Sequence, residues 1–404
     1  MLFKLAWRNI WRNKRRSLIV LVSVIVGIVA IVFSDGLSNG MMRQMLFNQI
    51  NLNISHIQIH KEGFNNNKIV KNFIPDINKV QSVLEKDPSV KAFSKRVFAS
   101  GILSSANNSS GVLIYGVIPS EESKVSVVKS SIVKGKYLGG GKREIIIGKK
   151  LAEKLGVGIG DKVVAMANTL SGDIGSEVFR VEGIFRTSSS DFDKMTVYIP
   201  AATEQEMLGL GNKYHEVAII TKDYNKVTEI KKNLASQLGS KYEILTYRDL
   251  LPMLIYQMDL YKESMMILNI IIGLALIFGI INTMLMSVFE RIREFGVLMA
   301  IGMKNNRLYL MIVFEAFIIG VLGTLVGLGI GLLLDIPLAH SGIDLSMFSV
   351  GLESFGVGAI IYPVLSIGNI INTVIFMPFV AVAGALYPAY KAIKLEPIYA
   401  INYV

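Results

Sequence analysis

Any chemistry in this chain must come from a small set of side chains. Four histidines stand at 56, 60, 215 and 340, too scattered to read as a metal-ligand set. Cysteine is absent, which excludes a disulfide, a zinc–thiolate centre, a catalytic thiol, and a sulfur-linked lipid on this chain. No Ser/His/Asp arrangement or carboxylate pair follows from spacing, so no catalytic residue and no metal site is assigned. Two glycine clusters invite a nucleotide. GKYLGGGK (135–142) fails the phosphate-loop pattern, because Arg143 follows Lys142 and Lys136 fills the first glycine slot. GVGIGD (156–161) opens into a strand-like run, so its glycines serve a turn. No ATPase of its own is therefore expected in this chain.

The side chains that can do work lie instead in Phe289–Glu315, between two long apolar segments. Charge arrives there in a burst: Glu290, Arg291, Arg293 and Glu294, then Lys304 and Arg307 after an apolar middle. An ionised group in hydrocarbon costs several kcal/mol, so spans end where charge begins. Phe295, Leu298, Met299 and Gly302 recur at spacings of three and four, which predicts a short helix lying along the membrane surface. Such a helix can receive force from a soluble partner and pass it to both flanking spans. Glu315, near the start of the following span, needs a partner; Arg307 and the N-terminal basic cluster are the candidates.

The rest of the sequence positions that helix. Hydrophobic residues make up 51% of the chain and the net charge is +11, which suits a membrane protein with a sizeable polar part rather than a soluble enzyme. Residues 1–16 form an amphipathic helix with Phe3, Ala6, Trp7, Ile10 and Trp11 on one face. Four spans follow: 17–33 (a retained anchor rather than a cleaved signal), 265–289, 308–334 and 370–390, each near the ~20 residues that cross hydrocarbon. Basic residues flank the N-terminus, the 290–307 loop and the 391–404 tail, whereas 335–369 has no Lys or Arg. Both termini and the loop are therefore expected in the cytoplasm, with 335–369 outside. A fifth span at 347–365 is the alternative; it would place the basic tail outside.

Residues 34–262 read as an exported domain. Strand-like runs at 54–60, 93–103, 111–118, 216–221 and 243–245 and helix-like runs at 77–84 and 227–238 predict a discontinuous α/β subdomain. A β-rich insert, about 120–210, interrupts it. Within the membrane, Gly323, Gly327 and Gly331 form a flat packing face, for which Ala381, Ala383, Gly384 and Ala385 of the fourth span could supply the partner. The first span carries only Gly27 and Ala30 as small residues, so its Val/Ile surface is left for lipid or a greasy client. Flexible, polarisable side chains cluster near its outer end and that of the second span: Phe33, Met41, Met42, Met45, Met258, Met265 and Met266. They are the candidate client contacts.

Four segments carry a resemblance over essentially the whole chain: LAWRNIWRNKRRS before the first span, IIIGKKLAEKLGVGIGDKV (145–163), RIREFGVLMAIGM (291–303), and LYPAYKAIKLEPIYAI (386–401). The chain resembles the permeases of the MacB and FtsX superfamily of ABC transporters, most closely the lipoprotein-releasing (Lol) permeases. The resemblance implies a four-helix membrane α-helical protein with a large periplasmic α+β domain, made of a porter-like subdomain and an inserted small β subdomain. It implies an inner-membrane location and mechanotransmission, in which ATP-driven closure below the membrane moves the domain above it. ATP and Mg are expected in a partner ABC ATPase dimer, and a second permease subunit, same or homologous, completes the assembly. Arg291, Arg293, Glu294, Phe295, Gly296, Leu298, Gly302 and Met303 match the ATPase-coupling motif. The implied client is a lipoprotein handed to a periplasmic chaperone, with no role for nucleic acid. The hairpin NTLSGDIGSE (168–177) is short and lacks the proline-bearing protrusion of chaperone-gripping members. A MacB-like efflux permease and an FtsX-like regulator of a periplasmic hydrolase are the competing functions.

Overall fold

Long apolar runs set four helices. The structure, a computed structural model, describes residues 2–12, 14–354 and 356–394. After α1 (Leu2–Arg12) come α2 (Lys14–Gln49), α3 (Pro252–Glu290), the short α4 (Ile292–Ala300), α5 (Asn305–Ser341) and α6 (Ile367–Ile393). Helices α2, α3, α5 and α6 are long and apolar enough to cross a membrane. All four outrun the apolar stretches that announced them. With ~1.5 Å rise per residue, α2 is about 54 Å long, well beyond ~30 Å of hydrocarbon. Hydropathy marks where the oily part ends. Backbone hydrogen bonding continues until a residue stops it, and in α2 that is not until a π-helical turn, Ile50–Ile54, and Ser55 at φ 59°. The tail beyond Lys394 lies outside the described residues.

The chain divides into two units, one of Met1–Arg43, Gln257–Asp344 and Ile360–Val404, the other of Gln44–Tyr256 and Leu345–Ala359. In the membrane unit the glycine stripe packs against the first span, not the fourth. A Cβ at Gly323 would lie 2.7 Å from Val24, at Gly327 3.0 Å from Ile28 Cβ, and at Gly331 3.0 Å from Val32. Those valines and isoleucines are knobs set into the glycine groove, so this face of α2 is closed to lipid and client. Its opposite face, Leu18, Ile19, Val22 and Val26, stays exposed. The small residues of α6 serve two neighbours: Ala381 meets Gly320 of α5, and Gly384 receives Ile280 of α3. Gly327→Leu should therefore push α2 off α5, at a cost of about 1–3 kcal/mol for overpacking. Gly329, whose Cβ would meet nothing within 4 Å, should accept alanine without loss. Thermal melts of both variants in detergent check this, and equal melting would refute the packing.

No fifth span forms among the described residues. Ile343–Asp344 pairs with Ile360–Ile361, and a short helix covers Ser349–Ser354. The Val364 amide donates to the Gly36 carbonyl at 2.8 Å. Gly40 sits so close to the Tyr362 carbonyl that any side chain there would overlap backbone.

The other unit is built on one ten-stranded sheet. Its strands are β1 (Ile57–Lys61), β2 (Val90–Ser104), β3 (Ser109–Val117), β4 (Ile132–Gly135), β5 (Glu144–Gly148), β6 (Lys162–Asn168), β7 (Ile174–Phe185), β8 (Thr196–Pro200), β9 (Glu216–Thr221) and β10 (Tyr242–Thr246). The order is β10-β1-β9-β2-β3-β8-β5-β7-β4, with β6 bridging β2 and β7. The expected separation of insert from host is thus a matter of cores, not of sheets. The first half of β2 pairs with β9, and its second half pairs with β3 and β6. One core joins β1, β9 and β10 to helices Ile77–Lys86 and Val227–Leu238. The insert's core begins at Val97, earlier than the expected residue 120. The strand expected at Ile54 begins at Ile57, because the π-turn occupies 50–54.

Where the cores meet, a polar cluster is fully enclosed. Arg96 donates to both Glu122 oxygens at 2.8 and 2.7 Å, to Glu216 at 2.6 Å and to the Asn53 carbonyl at 2.6 Å. Burial works against its charge, yet Glu122 and Glu216 hold the guanidinium firmly protonated. Nearby, Phe64 stacks on His60 and on His215, and burial lowers the affinity of both imidazoles for a proton. Among the described residues no group of three or more His, Asp or Glu could hold a metal. The clustered histidines are core residues.

Candidate functional site

The surface helix α4 is fastened from three directions. Arg291, at its N-terminal edge, donates to the Glu315 carboxylate of α5 at 3.0 and 3.2 Å. Asn9 of α1 donates to the same carboxylate at 2.7 Å. Arg12 of α1 pairs with Glu294, which also receives Arg291 Nε at 3.4 Å. Arg291 and Glu315 are both buried, and the guanidinium lies 4.9 Å from the Phe295 ring centre. A charge at this depth is tolerated only when its hydrogen bonds are filled, and here three elements fill them. Glu315 thus pairs with Arg291 rather than with Arg307; the N-terminal helix contributes an amide, not a cation.

The structure sorts the expected coupling residues into two groups. Phe295 is 0% exposed, and Arg291 and Gly296 are buried with it, so these three hold α4 in place and do not face a partner. Gly302, at φ +95°, ends the helix in the left-handed region, with its amide donating to the Met299 carbonyl and Met303 to Leu298. Its role is the turn. Leu298 and Met303 are half-buried beside the cleft between α1 and α4. The face left open carries Arg293, Glu294, Val297 and Ile301, the last 76% exposed. Val297 and Ile301 were not among the expected residues, although their spacing of four marked one face.

In the same unit a cleft of about 580 Å³ lies between α2, α3 and α6. Met265 and Met266 line it; Phe33, Met41, Met42 and Met258 do not, and Met45 belongs to the other unit. Its wall includes polar residues at helical spacing: Asp35, Ser38 and Asn39 on α2, and Asn369, Asn372 and Thr373 on α6. None of these polar residues is among the expected client contacts. Polar residues recurring at three and four within apolar helices were the available signal.

Two family descriptions match this chain: MacB-like periplasmic core domain over residues 17–237, and FtsX-like permease C-terminal over residues 266–397. It is 23% identical to the lipoprotein-releasing system transmembrane protein LolC of Xylella fastidiosa, over 72% of this chain and 73% of that protein. It is 24% identical to the macrolide export ATP-binding/permease protein MacB of Acinetobacter baylyi, over 99% of this chain and 59% of that protein. The solved periplasmic region of MacB from Actinobacillus actinomycetemcomitans aligns with 51% of this chain and 95% of that one, at a TM-score of 0.36 and 14% identity. The first match takes the first span and most of the sheet domain and ends at residue 237; the second begins at residue 266, inside α3, and takes the remaining spans and α4. This chain belongs to the MacB/FtsX superfamily of ABC transporter permeases.

Proposed function

We propose that this chain is the membrane subunit through which a separate ABC ATPase dimer drives extraction of lipoproteins from the outer leaflet of an inner membrane. The observation that carries this reading is the cleft between α2, α3 and α6. It pairs an apolar floor with a polar wall, as an amphiphile arriving from the bilayer requires, and Met265 and Met266 stand in its lining. In this reading both termini and α4 face the cytoplasm, the sheet domain faces the periplasm, and a second permease subunit completes the assembly. A photo-crosslinking residue at Met265 should capture acylated client when ATP turnover is blocked. One at Gly327, enclosed against Ile28, should not. Adducts at Gly327 alone, or no acylated adduct at Met265, would overturn the reading. A second reading, a MacB-like efflux permease, is favoured by the alignment to MacB along 99% of this chain. Capture of a soluble peptide or small molecule in place of acylated protein would select it.

The ATPase is expected to dock on the open face of α4. Val297→Asp and Ile301→Asp should abolish co-purification with the ATPase while shifting stability by less than about 0.5 kcal/mol, as exposed substitutions do. Phe295→Asp should instead destabilise the permease itself, because it places a carboxylate in a filled core. If the Val297 and Ile301 variants still co-purified with the ATPase, the docking face would be wrong.

A further inference from the structure

The amide groups of Asn269, Asn369 and Asn372 line the cleft and make no hydrogen bond among the described residues. The neighbouring outward positions are apolar: Ile267 and Ile271 on α3, Ile371 and Ile375 on α6. An unpaired amide away from water costs several kcal/mol, on the order of 4–8 on alkane scales, so where lipid replaces water beside the half-buried Asn269 and Asn369 and the exposed Asn372 an occupant with matching groups is favoured. Asp35 sharpens the requirement. It is 8% exposed, lines the same cleft, and has no hydrogen bond or ion pair among the described residues. Lys262 stands at the rim but already pairs with Asp259 at 3.0 Å. Such a group is stabilised either by taking up a proton or by a cation brought from outside, and a cation keeps the carboxylate charged.

We infer that the cleft between α2, α3 and α6 binds an amphiphile with ester-linked acyl chains and a primary ammonium, the ammonium held by Asp35. An ammonium has three donors: one can go to Asp35, the others to asparagine Oδ1 atoms, which accept. The amide N–H groups are then free for ester carbonyls, and Ile31, Phe376 and Met377 receive the first part of the chains. The volume, about 580 Å³, suits a head and chain roots rather than a whole lipid. The same chemistry occurs in an aminophospholipid of the bilayer and in a diacylated client whose N-terminus is free. The inference deepens the proposed function and rests on its assignment of the cleft to an amphiphile.

Native mass spectrometry of the full-length permease released from nanodiscs tests it. One arm compares phosphatidylethanolamine with phosphatidylglycerol of the same chains; the other compares a synthetic diacylglyceryl-cysteine peptide with its N-acetylated form. The ammonium-bearing member should be retained at least tenfold over its counterpart, and Asp35→Asn should erase the preference. Selectivity in the lipid arm alone names the bilayer as source, and in the peptide arm alone the client; either supports the inference. Equal retention within both pairs overturns it. So does no retention of any, as when a second copy covers the cleft. The wild-type comparison needs no substitution, so it decides even if Asp35→Asn fails to fold. Client capture at Met265 without ammonium preference would keep the proposed function and remove this inference. Ammonium-selective lipid retention without client capture would do the reverse.

Discussion

Replacing Arg96 by methionine should unfold the sheet domain. Among the described residues the guanidinium is the only positive charge paired with Glu122 and Glu216, and side-chain exposure is 0% for Arg96 and Glu122 and 7% for Glu216. Without it two carboxylates face each other away from water, and breaking such a buried pair costs about 3–5 kcal/mol. That is a large fraction of a typical folding free energy of ~5–15 kcal/mol. Lysine should not restore the domain, because a single ammonium cannot span the bidentate contact to Glu122 together with Glu216 and the Asn53 carbonyl. Limited proteolysis of the full chain across a urea series reads the effect, since both tryptophans lie in α1 and do not report on this domain. An unchanged urea midpoint for Arg96→Met would mean that the cluster does not hold the cores together.

Arg291→Leu should be nearly as damaging to the membrane unit, and for a reason that predicts its own rescue. Alone it strands Glu315, 6% exposed, with Asn9 as its one remaining donor among the described residues. Glu315→Leu alone strands the guanidinium between Phe295 and Glu294. Each should cost about 3–5 kcal/mol, whereas the double leucine variant removes both charges from an apolar site and should regain most of that loss. Detergent melts of the four species in a double-mutant cycle measure the coupling. Additive losses would show that the pair is not the element that fixes α4. A folded double variant also separates stability from coupling: α4 would keep its core contacts while losing one of its links to α5.

Much of this was open to reading from residues alone. The spans were legible because hydrocarbon admits apolar runs and rejects charge, and α4 because a charge burst with three- and four-residue spacing leaves few other readings. The strands expected at 93–103 and 111–118, on either side of a turn-rich spacer, form as 90–104 and 109–117. Helix ends were not legible, since a helix outlasts its greasy part for as long as the backbone ladder stays unbroken. Which partner met which face was not legible either. Gly323, Gly327 and Gly331 announce close approach, but glycine accepts any helix, and only the packed bundle chose Val24, Ile28 and Val32 over the small residues of α6. Phe295 looked like a contact residue for the same reason: a sequence shows which side chain is apolar, and the tertiary structure decides whether the bundle or a partner covers it. Ion pairs across long separations, Arg96 with Glu216 or Arg291 with Glu315, are likewise decided only when the chain closes. Charge fixes the need for a partner and leaves its identity to geometry, because any opposite charge within reach would serve.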